Sequence, residues 1–184
     1  AALLRNGTYM VYRKLFQDVG AFRKQLQEDA LAYQASQGLD LTPESAYELM
    51  AAKVVGRWRD GIAIEEVPSR GEIGYLGDGA GPDPSNDFRY LEIGPGGESD
   101  PTIPQGTRCP VGAHIRRTNP RDALGWHGNG EMSERHRIIR RGMPYGPPRQ
   151  GAKDDYSPDG VDRGLLFICF NADIERQFEV VQRS

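Results

Sequence analysis

Between residues 71 and 110 the chain carries nine glycines and six prolines. That stretch limits the fold more than any other. Proline has no backbone donor and glycine weakens any regular element, so neither a helix interior nor a central strand tolerates this density. So long an irregular segment inside a compact domain is either functional or conceals an element. We read it as a wrapping excursion with a few short turns, not a domain boundary. At 184 residues the chain suits a single domain. A domain of that size buries roughly 70% of the surface its unfolded form exposes, so no disulfide or structural zinc is needed.

The regular elements flank the excursion. Gly7 to Leu15 is rich in β-branched and aromatic residues and reads as a strand. Val19, Phe22, Leu26, Ala30 and Tyr33 form one apolar stripe at helical spacing, with Asp18 placed to cap it and Gly38 to stop it. A second helix opens at Thr42-Pro43-Glu44 and ends at Gly56. Leu165 to Phe170 is a continuous apolar run that suits a strand buried on both faces. Asn171 is placed to cap a last helix whose buried face carries Ile174, Phe178 and Val181. Strand, helix, helix, long loop, strand, helix is an α+β order.

Charge narrows the function. The net charge is −3, which excludes a globally basic nucleic-acid binder. Nineteen of the 23 cationic residues are arginine, and nine of those lie between Arg108 and Arg149 against three acids, Asp122, Glu131 and Glu134. Arginine's planar fork suits carboxylate or phosphate, so the cluster points to a bound anion or, more blandly, to a solvated surface. Arg135 to Arg141 has no interleaved aromatics, which argues against a nucleic-acid site. No run reaches the roughly 18 apolar residues of a membrane span. Ala1 to Gly7 is too short for a signal peptide and begins without Met, which suggests a trimmed chain. The compartment stays open.

The three histidines, His114, His127 and His136, fit no HExxH pattern or facial triad. There is no GxSxG, no GxGxxG and no CxxC. His114 stands out by its neighbours, Cys109-Pro110-Val111-Gly112-Ala113-His114-Ile115-Arg116-Arg117-Thr118-Asn119-Pro120-Arg121, and by a second block, Arg137-Ile138-Ile139-Arg140-Arg141-Gly142-Met143-Pro144-Tyr145-Gly146.

These two blocks resemble the haem-ligand and distal-arginine motifs of the Dyp-type (dye-decolourising) haem peroxidases. Three further stretches agree in order: Asn6 to Val19, Val55 to Trp58, and Gly164 to Glu179. The resemblance runs over nearly the whole chain. It implies a ferredoxin-like α+β half with a long Gly/Pro-rich loop, residues 1–184 forming one haem-binding domain. It implies haem b, with His114 as the ligand to iron, Asn119, Pro120 and Arg121 at the haem edge, and Arg121 suited to a propionate. Arg140 is implied as the catalytic arginine on the peroxide side, in preference to Arg141. Phe167 and Ile168 would line the haem or simply pack the core, and Arg116 and Arg117 are expected as a solvated or intersubunit pair. Trp58, Trp126 or a surface tyrosine would relay electrons. The implied partners are hydrogen peroxide and an organic electron donor such as a dye or phenol, and the assembled unit is expected to be a homo-oligomer.

One family signature is missing. The G-x-x-D-G motif carries a distal aspartate, and Asp60-Gly61, Asp78-Gly79 and Asp159-Gly160 are preceded at the first position by Arg57, Tyr75 and Tyr156. The expectation is that the chain is the C-terminal half of such a peroxidase, that the N-terminal half is absent from it, and that a second polypeptide supplies the aspartate. The acidic partner of the proximal histidine is expected beyond Ser184. The alternative is a haem-binding module with little turnover, since nothing here shuttles the peroxide proton.

Overall fold

The computed structural model describes residues 6–68, 88–90, 106–124, 130–152 and 154–184. The wrapping excursion falls largely on residues 69–87 and 91–105 and, like Trp126 and His127, lies outside the described residues. Strand β1 is Tyr9–Phe16. Helix α1, Val19–Gln37, begins where the Asp18 carboxylate accepts the Ala21 N–H at 2.9 Å and ends at Gly38 in the left-handed conformation. Helix α2, Pro43–Val55, is capped by the Thr42 hydroxyl, which accepts the Ser45 N–H. Of the α1 stripe only Leu26 and Ala30 are buried, and Phe22 stays exposed.

Short helices α3, His114–Thr118, and α4, Glu131–Arg135, follow the excursion, with a 3-10 turn at Arg121–Ala123 among the described residues between them. Strand β2, Ile139–Tyr145, pairs antiparallel with β3, Gly164–Asn171, which pairs antiparallel with β1 on its other side. The sheet order is therefore β1-β3-β2. Sequence patterning did not mark β2, because two arginines, Gly142 and Pro144 break its alternation. Proline is tolerated there because β2 is an edge strand, where a missing donor leaves no ladder bond unmade.

The register assigns each face. Val11, Cys169 and Arg140 align across the three strands on one face, and Tyr12, Ile168 and Arg141 on the other. The first face also carries Phe167, whose ring lies 6.3 Å from that of Phe178 in the C-terminal segment. The guanidinium of Arg13 lies 5.0 Å from the Phe178 ring centroid. The second face is bare: Met10 is 61%, Phe16 66% and Ile139 76% exposed, and Tyr12, Met143 and Phe170 are exposed with them. The expectation that β3 is buried on both faces is thus corrected, and only Cys169 and Asn171 in it are buried.

Asn171 is not a helix cap. It is the last residue of β3, and its amide donates to the Tyr9 carbonyl at 3.4 Å. The Asp173 carboxylate instead accepts the Arg176 N–H at 3.1 Å and opens a π-helical turn, Glu175–Glu179, that runs into helix α5, Val180–Arg183.

The buried core lies away from the sheet. Ala52 of α2, Trp58, Ala63, Ile64, Phe88, Tyr90, Cys109 and Ala113 pack together, with Leu49, Ile62 and Ile115 against them. Residues immediately before and within α3 are thus set against α2 and the loop that follows it.

Candidate functional site

The segment that presents His114 is fixed on both sides by buried groups. Cys109 donates its N–H to the Glu65 carboxylate at 3.1 Å, and its carbonyl accepts from Arg116 at 2.8 Å. The Lys53 ammonium donates to the Thr107 and Arg108 carbonyls. Arg116 is only 5% exposed, and its guanidinium lies 4.8 Å from the Tyr90 ring centroid. The expected solvated pair is therefore split: Arg117 is exposed, whereas Arg116 is buried and closes the loop that enters α3. Gly56, at φ 93°, allows Ile115 to lie against the end of α2, and a Cβ at that position would collide with the Ile115 side chain.

Ala113 and Ile115 point into the core, which turns His114 outward, where it is exposed. Among the described residues no group hydrogen-bonds its ring. The surrounding protein lowers the His114 pKa below the ordinary histidine value, and the positive charge of Arg140 lowers it further. Both effects favour the neutral imidazole, the form that donates an electron pair to a metal. Arg140 and His114 are thus close enough to interact electrically although one stands on β2 and the other on α3.

Arg140 is exposed on the same sheet face as Phe167 and Cys169, and among the described residues its guanidinium forms no hydrogen bond or ion pair. Arg141 points from the opposite face, beside Tyr12 and Ile168. The pair Phe167 and Ile168 divides in the same way, and only Phe167 shares Arg140's side.

Asn119 ends α3, its N–H bonded to the Ile115 carbonyl at 3.0 Å, and with Pro120 it is half-buried. Arg121 adopts φ 50°, a left-handed conformation that a non-glycine residue takes only when its surroundings impose it. Its carbonyl accepts the Ser133 hydroxyl of α4, and its guanidinium lies 3.8 Å from the Phe88 ring centroid while donating to the Phe88 carbonyl at 3.3 Å. The next residue, Asp122, is buried and accepts the Tyr90 N–H at 2.8 Å. His114, Asn119, Pro120 and Arg121 therefore stand on one anchored segment, and Arg140 on a separate one, near enough for its charge to reach the His114 ring. Trp58 is buried with its indole N–H donated to the Val67 carbonyl at 2.8 Å.

The anchoring carries a pH signature. Burial pushes the Cys109 thiol from 9.0 up to about 11, helped by the Glu65 charge, and burial pushes the Tyr90 phenol from 10.0 up to about 12. Below pH 9.0 both groups are protonated in folded and unfolded chains alike, and their contribution is intact. As pH rises towards 11 the unfolded chain releases protons that the folded chain retains, so stability falls. The thermal midpoint is expected to decline across pH 9–11, and Cys109→Ala to flatten the first part of that decline. A midpoint level over that range would contradict this account.

A family profile described as "Dyp-type peroxidase, C-terminal" matches residues 2–184. The dye-decolorizing peroxidase msp1 of Mycetinis scorodonius is 32% identical over 184 residues, covering 98% of this chain and 32% of its own length. The multifunctional dye peroxidase DyP2 of an Amycolatopsis species is 34% identical, covering 96% of this chain and 33% of its own. Among solved structures, an ancestral D-type dye-decolorizing peroxidase superposes with TM-score 0.70 at 36% identity, over 96% of this chain and 35% of that one. A dye-decolorizing peroxidase in complex with 2,6-dimethoxyphenol superposes with TM-score 0.70 at 28% identity. The chain thus spans about a third of the length of the relatives it matches.

Proposed function

Since this chain belongs to the Dyp-type peroxidase family, whose members are haem enzymes, we propose that residues 1–184 form the haem-bearing domain of a peroxidase that reduces hydrogen peroxide and oxidises dyes or phenolic compounds in one-electron steps. The observation that carries this reading is that an exposed His114 on α3 and an exposed Arg140 on β2, whose guanidinium is unengaged among the described residues, stand near enough for the charge of one to act on the ring of the other. A neutral imidazole and a fixed cation near it are a donor set that fits haem b.

Bound haem would supply the one-electron redox chemistry. His114 would give its ring nitrogen to the iron. Arg140 keeps a permanent positive charge where negative charge grows on the departing peroxide oxygen, and it needs no reorganisation to do so. Asn119, Pro120 and Arg121 would border the haem, and Arg121, stacked on Phe88, would meet a propionate. Phe167 supplies an apolar wall on Arg140's side.

In this reading the distal aspartate comes from another polypeptide, and the bare face of the sheet offers that polypeptide a docking surface separate from the face that carries Arg140. Met10, Tyr12, Phe16, Ile139, Met143 and Phe170 are exposed on one face of the sheet, and apolar side chains gathered in this way mark a contact surface. Arg141 lies within it, so two copies face to face would oppose like charges, whereas a sheet bearing a carboxylate would not.

Haem titrated into the purified chain is expected to give a saturable Soret band. Peroxide turnover by the loaded chain is expected to be slow until a polypeptide bearing G-x-x-D-G is joined to it. Ile139→Asp should remove that acceleration and spare haem retention. Absence of a Soret band overturns the haem assignment. Full turnover by a lone 20.4 kDa species overturns the need for a partner.

A further inference from the structure

The C-terminal π-helical turn touches both sides of the site. Gln177, in the middle of it, uses its amide on three main-chain groups. Its oxygen accepts the N–H of Ala172 at 2.7 Å and of Asp173 at 3.0 Å, just past the end of β3. Its nitrogen donates to the carbonyl of Arg137, two residues before β2 begins. A second tie runs beside it, where the His136 ring donates Nδ1–H to the Arg176 carbonyl. The same C-terminal segment continues into α5, which packs against α3, the helix that carries His114.

These bonds sit where the sheet is weakest. The last β2–β3 pair is Ile139 with Phe170, and Arg140 is the very next residue. A strand end without further support opens locally at little cost. The Gln177 amide acts as one more rung beyond that pair, joining the outgoing chain of β3 to the incoming chain of β2. The π-helical winding, seen in the bond from the Glu179 N–H to the Ile174 carbonyl at 3.0 Å, sets the amide at the height of both chains.

We propose that Gln177 is a positioning residue that holds Arg140 in its place near His114, a role that rests on the reading of Arg140 given above. The test compares Gln177→Leu, which removes all three bonds, with Gln177→Glu, which keeps the acceptor and loses the donation to Arg137. Gln182→Leu is the control, because it loses only a bond from Arg13 in the same segment. Two readouts are followed: hydrogen exchange over residues 137–142, and fluoride affinity of the haem-loaded protein by absorption, since a nearby guanidinium strengthens anion binding there.

Gln177→Leu should speed exchange over 137–142 by about tenfold or more and weaken fluoride binding by about tenfold, with haem retained, because opening of a strand end converts directly into both quantities. Gln177→Glu should move both readouts the same way, and it decides the matter should Gln177→Leu not fold. Gln182→Leu should match the parent. Parent-level exchange and fluoride affinity in both Gln177 variants, or an equal loss in Gln182→Leu, overturns the proposal. If the parent takes up no haem, the functional reading falls, and the exchange arm still decides whether Gln177 holds the strand.

Discussion

His114→Ala will leave the protein unable to retain haem. Loss of a group that merely orients a metal ligand typically weakens binding 10–100-fold, and removing the ligand itself should exceed roughly 100-fold. The fold should survive, because His114 is exposed and its neighbours Ala113, Ile115 and Arg116 make the contacts that anchor α3. The vacated space is open to solvent, so added imidazole should restore part of the Soret band. Equilibrium dialysis against haem measures the affinity, and circular dichroism reports the fold. A variant that binds haem with an unchanged spectrum would falsify the assignment of the ligand.

Arg140→Leu should slow the first spectral change after mixing with peroxide by about tenfold at least, with haem content unchanged. Removing one preorganised donor to a developing negative charge typically lowers a rate by roughly 10²–10³, or about 3–4 kcal/mol. The effect falls on the rate because the charge being stabilised grows only as the bond breaks. Lysine should restore the rate only in part, since it lacks the planar fork. Arg137→Leu is the contrast: its guanidinium pairs with Glu134 at 3.0 Å on an exposed surface, where such pairs contribute little. Equal slowing in both variants, or haem loss in Arg140→Leu, would move Arg140 from catalysis to haem anchoring.

The parts of this fold that were legible in the sequence are those governed by local chemistry. Asp18, Gly38, Thr42 and Pro43 bound their helices as their side chains and dihedrals dictate. The α+β class and the family followed from the elements and from two long motifs. What escaped depends on contacts distant in sequence. β2 is a strand because β3 pairs with it, and its own residues argue otherwise. β3 reads as doubly buried, yet one of its faces is bare, because hydrophobicity reports what a surface prefers and not what covers it. Arg116 looks like a surface cation until Tyr90 and the Cys109 carbonyl enclose it. Gln177 carried no visible signal beyond its place in a family-like stretch, since a glutamine's role lies in which main-chain groups happen to converge on it.

The two adjacent arginines of β2 project from opposite faces of the sheet, and that has a bearing on insertions and deletions. A one-residue slip of β2 against β3 inverts every side chain of the strand. In the slipped strand Arg141 would take the side now held by Arg140, so a guanidinium would still stand near His114. A single-residue loss in the chain leading into β2 would therefore preserve the charge of the pocket while reversing the strand's apolar pattern, whereas a gain would set Ile139 in the place of Arg140. Such losses among homologous chains should show themselves first in assembly with a partner and only later in peroxide chemistry.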